Sequence, residues 1–180
     1  MKRSLTEIAG MALKAARGAG VPLGHAEDFA TAVRNLAATS PAELDCVALA
    51  LAPPHNVATL ENDNAIRNAR VAVAGPCAID LLQCGTPEIT LYDVDAPMLL
   101  RSMVAVANQE RDVAIAVRQD GANACLTTAT KVEELQSSVA PVDIDDKIWA
   151  SWDSYAANTY VPATEASRLG GAGAGLTDND

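Results

Sequence analysis

Histidine is nearly absent from this chain, aromatic residues are scarce, and positive charge falls well short of negative. His25 and His55 are the only histidines among 180 residues, and the four cysteines (Cys46, Cys77, Cys84, Cys125) include no C-x-x-C pair. No zinc-ligand spacing can be built from that set. We expect no metal and no cofactor, and four reduced thiols acting as small hydrophobes. Lys and Arg total 13 against 23 Asp and Glu, a net charge of −10. Phosphate binding draws on Lys and Arg, so nucleic acid and anionic membrane surfaces are excluded as general partners. No run approaches the roughly 20 apolar residues that span a bilayer. The start, Met1-Lys2-Arg3-Ser4, is followed by Glu7 and Lys14 inside an amphipathic pattern. That is not the apolar core of a signal peptide, so the reading is cytoplasmic. With one Phe in the chain, Trp149 and Trp152 are its largest packing units, read as core or subunit interface.

What is present points to an α+β protein. At 49% hydrophobic residues, 180 residues can bury a substantial core, read as a single domain over 1–180. Residues 1–51 read as Ala-rich helices. Ser4 and Glu7 form a capping box for the first, which ends at Gly18. Phe29, Val33 and Leu36 stripe a second, whose polar side carries Glu27, Asp28 and Arg34. Ser40, Pro41 and Glu43 open a third that stops at Pro53-Pro54. Residues 55–69 read as a loop with a short strand near Val57 to Leu60. The central stretch, 70–128, reads as a small mixed sheet with helices on one face. Its first strand is Arg70 to Ala74, turned at Gly75-Pro76 into a short helix. Next come a strand at Ile89 to Tyr92 and a helix opened by Ala96-Pro97. A hairpin follows around Asp120-Gly121. Residues 130–159 carry a capping box at Thr130 and Glu133 and a longer helix after Asp143. Residues 160–180 form a Gly-rich tail.

Glu7 to Asp28 reads E-I-A-G-M-A-L-K-A-A-R-G-A-G-V-P-L-G-H-A-E-D, and the chain ends T-Y-V-P-A-T-E-A-S-R-L-G-G-A-G-A-G-L-T-D-N-D. These two ends resemble a bacterial domain-of-unknown-function family, through an N-terminal A-R-G-A-G-x-P-x-G-x-A-E motif and the C-terminal T-Y-V-P-A-T-E-A-S-R…G-A-G-A-G-L-T-D-N-D ending. The resemblance implies no reaction, and no catalytic residue carries over. It does imply that the last residues are an integral part of the protein.

Two motifs fail on inspection. G-A-G-A-G lacks the strand before and the helix after that a dinucleotide loop needs. His25-Ala26-Glu27 with Pro76-Cys77 gives part of the zinc-deaminase pattern, but Asp80 stands where its second cysteine belongs. Two candidate sites remain. Cys77, placed just after the Gly75-Pro76 corner, would meet the N–H groups of a helix start and be a nucleophile, or be a packed thiol. Arg168, with Tyr160, Glu165 and Ser167, would clamp a carboxylate or phosphate, or pair with the tail's own acids. The sequence does not decide whether the protein is an enzyme. One reading is a small-molecule enzyme or binding protein for an anionic metabolite. The other is a non-catalytic accessory subunit using the Trp-bearing helix and the tail. A homodimer is expected from the apolar faces of the N-terminal helices and of that helix.

Overall fold

In the computed structural model, the residues described are 1–53, 59–61, 64–110, 114–130 and 138–160. Strand β1 (Lys2–Arg3) leads into helix α1 (Leu5–Gly18). The Ser4 box forms: Glu7 N–H donates to Ser4 Oγ at 3.2 Å, and Glu7 Oε2 accepts from Ser4 N–H at 2.8 Å. The second box does not. Ser40 makes no side-chain cap, and a short 3-10 turn (Pro41–Glu43) separates helix α2 (Leu23–Thr39) from α3 (Cys46–Leu51). The third box reaches into residues outside those described.

Strands β2 (Thr59–Glu61) and β3 (Ala65–Arg67) follow; β3 lies in what reads as loop. The largest correction concerns α4 (Val71–Gln83), one helix running through the expected strand and corner, with Pro76 inside it. A short apolar run fits a buried strand and a buried helix equally well, and periodicity cannot separate them. Here Val71, Ala72, Ala74, Gly75, Pro76, Ala78, Ile79 and Leu82 are all buried, so the helix is enclosed nearly all round. Packing explains Gly75 better than a corner does. A Cβ on Gly75 would lie 2.6 Å from Met103 Sδ, so the glycine admits the neighbouring helix.

That neighbour is α5 (Pro97–Glu110), reached through β4 (Glu88–Leu91). The hairpin is present as β5 (Ile115–Asp120) and β6 (Asn123–Thr128). Gly121 has φ +58, the left-handed value its turn requires. The chain continues into β7 (Val142–Asp143), which pairs antiparallel with β1, and α6 (Asp146–Ala156). The sheet is mixed, in the order β2-β3-β4-β6-β5, with β3 and β4 parallel and joined by α4. Ile66, Ile89, Leu91, Ile115, Ala124 and Leu126 are buried from the sheet. They join α1 to α6 in one hydrophobic cluster running from Ile8 to Trp152. Thr90, Cys125 and Thr127 of the sheet are half-buried.

Two close approaches fix the helical part. A Cβ on Gly18 would come within 1.8 Å of Tyr155 O, so α6 packs backbone to backbone against the end of α1. At the sheet edge, Ile115 N–H donates to Asn108 Oδ1 at 2.8 Å and Asn108 Nδ2 donates to Ile115 O at 3.0 Å. The amide of Asn108 thus occupies the first outward rung of β5, blunting an edge that would otherwise template another strand.

Candidate functional site

Cys77 is not at a helix start. It lies midway along α4, half-buried, and burial together with the nearby Asp80 raises its thiol pKa. The physical ground for a nucleophile at this position is gone. Tyr160 is 63% exposed just after a short 3-10 turn (Ala157–Thr159). Arg168, Glu165 and Ser167, with the rest of the tail from 161 onward, lie outside the described residues.

The two helix N-termini at the carboxyl ends of β3 and β4 are where an open sheet with parallel strands usually receives a ligand. Both strands leave through a residue in the left-handed region, Asn68 (φ +50) and Asp93 (φ +57), types that tolerate it. The start of α4 is already occupied. Asp95, its side chain only 7% exposed, accepts the Val71 N–H at 2.9 Å and faces Arg70 Nη1 at 3.4 Å. Burial raises its carboxyl pKa, and the Val71 N–H and Arg70 oppose that only in part. Arg70 also reaches Pro53 O at 3.5 Å. At α5 the equivalent place is taken by a thiol: Cys46 receives a backbone hydrogen bond from Leu99, yet burial dominates and pushes its pKa up to about 12. One N–H contact does not outweigh desolvation, so Cys46 stays a neutral thiol. The chain's own carboxylate stands where a ligand's anion would go, and this end of the sheet is self-satisfied.

A second concavity differs in this respect. Between α2 and α5 lies a cleft of about 140 Å³, lined by Thr31, Arg34, Asn35 and Ala38 from α2 and by Val106, Gln109 and Glu110 from α5. Leu5, Ser138 and Val139 complete its wall. Asn35 of the wall is anchored from behind: its Nδ2 donates to Ser102 Oγ at 3.0 Å, and the buried Ser102 in turn donates to Ala32 O at 2.7 Å. Ser138 is held to the end of α2 by its N–H, which donates to Ala38 O at 3.2 Å. Two charges enter this cleft, Arg34 and Glu110, and among the described residues neither has an ion-pair partner. The guanidinium presents a planar set of donors suited to a carboxylate or phosphate.

Neither residue stood out as a site in the sequence, although a signal was there. Arg34 has Ala30, Thr31, Ala37 and Ala38 at helical spacing, and Glu110 has Val106 and Ala107. With no opposite charge three or four positions away, neither could be neutralised along its own helix.

Among the described residues, no three His, Cys, Asp or Glu gather closely enough to hold a metal ion, and no helix is long and apolar enough to cross a membrane. The fold and cleft together define an α+β protein with a small, charged concavity beside its N-terminal helical pair. Residues 3–48 match a family described as Protein of unknown function (DUF3726), in line with the resemblance read from Glu7 to Asp28. The matched segment covers α1 and α2 and so includes Arg34 and Asn35. No curated protein and no solved structure matches the chain.

Proposed function

We propose that this protein binds a small metabolite carrying an anionic group in the cleft between α2 and α5, with Arg34 as the anchoring cation. The observation that carries the reading is the guanidinium of Arg34, without an ion-pair partner among the described residues, in a concavity of about 140 Å³. A charged side chain with no ion-pair partner among the described residues, set beside ordered polar groups, is available to a ligand without first breaking one of the ion pairs they form. Among the described residues the wall contains no Cys or His and one carboxylate, which supports binding as the task of the cleft ahead of covalent chemistry. A cytoplasmic setting belongs to the same proposal, supported by four free cysteines.

The interaction-subunit reading draws less support. Trp152 is fully buried, and the ring of Trp149 is covered by the Arg3 guanidinium, 4.3 Å from its centroid. The helical faces invoked for a homodimer pack internally, α1 against α2 and α6, and α2 against α5.

The test is thermal denaturation with a panel of small carboxylates, inorganic phosphate and amino acids at millimolar concentration. At least one class should raise the melting temperature, since a ligand at 100 times its Kd stabilises by about 2.7 kcal/mol. Arg34→Gln should weaken that protection about tenfold or more. A wild-type protein indifferent to the whole panel would contradict the proposal.

A further inference from the structure

Arg34 is not the only charge in the cleft without an ion-pair partner among the described residues. Glu110 enters it from α5, on the opposite helix, and among the described residues it too has no ion-pair partner. The two side chains do not pair with each other: every nitrogen of Arg34 is more than 4.0 Å from the Glu110 carboxylate oxygens, so each charge is open to a ligand group of its own.

A ligand bearing only negative charge would gain from Arg34 and be repelled by Glu110 in the same small space. A ligand bearing only positive charge would meet the reverse. The complement of both is a molecule with a carboxylate and an ammonium a few bonds apart. Neutral polar groups fit the same pattern. The nitrogen of Asn35 is committed to Ser102 Oγ at 3.0 Å, which leaves its Oδ1 as an acceptor for an ammonium. Gln109 supplies both donor and acceptor. Leu5, Ala38, Val106 and Val139 give the remaining wall an aliphatic character. Size sets an upper bound, because a cavity of roughly 150 Å³ holds one benzene, about six heavy atoms. The cleft, at about 140 Å³, is of that order.

Resting on the reading of the cleft as an Arg34-anchored binding site, we infer that its ligand is a small aliphatic α-amino acid held as the zwitterion. Arg34 takes its carboxylate, Glu110 takes its ammonium, and the aliphatic wall receives a side chain of about alanine size. Larger side chains have to project through the open mouth.

The test is a titration of the full chain with L-alanine, propionate and ethylamine, and separately with inorganic phosphate, followed by amide chemical shifts and calorimetry. Alanine should bind at least tenfold more tightly than either single-charge analogue. Glu110→Gln should weaken alanine at least tenfold while strengthening propionate, and Arg34→Gln should weaken both. Each substituted residue is exposed on a helix, and a wild-type-like melting temperature verifies the fold; the three-ligand comparison on wild-type protein decides the matter independently. If propionate binds as tightly as alanine and Arg34→Gln weakens it, the zwitterion inference falls and the anion-binding reading stands. If neither alanine, propionate nor phosphate moves the amides of the cleft, both fall.

Discussion

The carboxyl end of the parallel strands and the cleft between α2 and α5 each bring charged side chains to a concave part of the molecule, and they handle those charges in opposite ways. At the strand ends Asp95 is 7% exposed, bonded to Val71 N–H at 2.9 Å and set against Arg70. In the cleft, Arg34 and Glu110 are exposed and unpaired among the described residues. Fold-level precedent favours the first place and polar accounting favours the second. The lesson is that a helix N-terminus is an anion site only while it is vacant. Here the chain's own side chains have filled both, which makes that region a structural joint between β4, α4 and α5.

If that contrast is right, the largest effect should come from the joint. Asp95→Ala strands the Val71 N–H and leaves Arg70 without its counter-charge, at a cost of about 2–3 kcal/mol. For a chain of this size the melting temperature should fall by roughly 5–10 °C. Ligand affinity at the cleft should stay unchanged in the folded protein. A melting temperature within 1–2 °C of wild type, about the experimental noise on a 0.5 kcal/mol change, would break the comparison at its stronger end.

The pH dependence of the same residue sharpens it. Burial raises the native carboxyl pKa of Asp95 above its unfolded value of about 3.9, so in that window the folded state holds the proton more tightly than the unfolded one. Stability from this group is therefore present at low pH and is lost as pH rises through the native pKa. Denaturant titrations of wild type and Asp95→Asn across acidic pH should show wild type losing ground to the variant as pH increases. The opposite slope would mean that Arg70 wins over burial and holds the carboxylate ionised.

Thiol reactivity probes the other capped helix start. Cys46, with its pKa pushed up to about 12 by burial, should be alkylated last at neutral pH, and exposed Cys84 first. Cys77, raised by burial and Asp80, should show no acceleration. Rapid labelling of Cys46 in native protein would mean that the joint opens readily. The smallest effect is expected at the cleft: Arg34→Gln breaks no ion pair and should change stability by no more than about 0.5 kcal/mol, measured by the same denaturant titration.

Legibility from sequence followed the physics of each element. Helix α1 announced itself because its capping box and apolar stripe are local, and α5 because its stripe is long enough to show a period. The hairpin was legible at Asp120-Gly121, since only a left-handed Gly121 satisfies a two-residue turn there. Helix α4 was not, because a helix enclosed on nearly all sides shows no polar face to set the period, and its Gly75 serves close contact with Met103. Strand β3 is three residues long and exists through its neighbours, with Ile66 O accepting the Tyr92 N–H at 2.8 Å. The roles of Asp95 and Cys46 depend on residues 24 and 53 positions away, Val71 and Leu99, which no local pattern encodes. Arg34 sat in view on the polar side of α2. What hid the cleft was its opposite wall, supplied by α5 through tertiary packing.

Amide chemical-shift mapping with L-alanine bears most directly on the contrast between the two regions. The account predicts perturbations confined to Thr31, Arg34, Asn35, Ala38 and the last turn of α5 from Val106 to Glu110, and lost on Arg34→Gln. Perturbations centred instead on Asn68 to Val71 and Asp93 to Ala96 would contradict it, placing the ligand at the strand ends with Asp95 displaced from the start of α4.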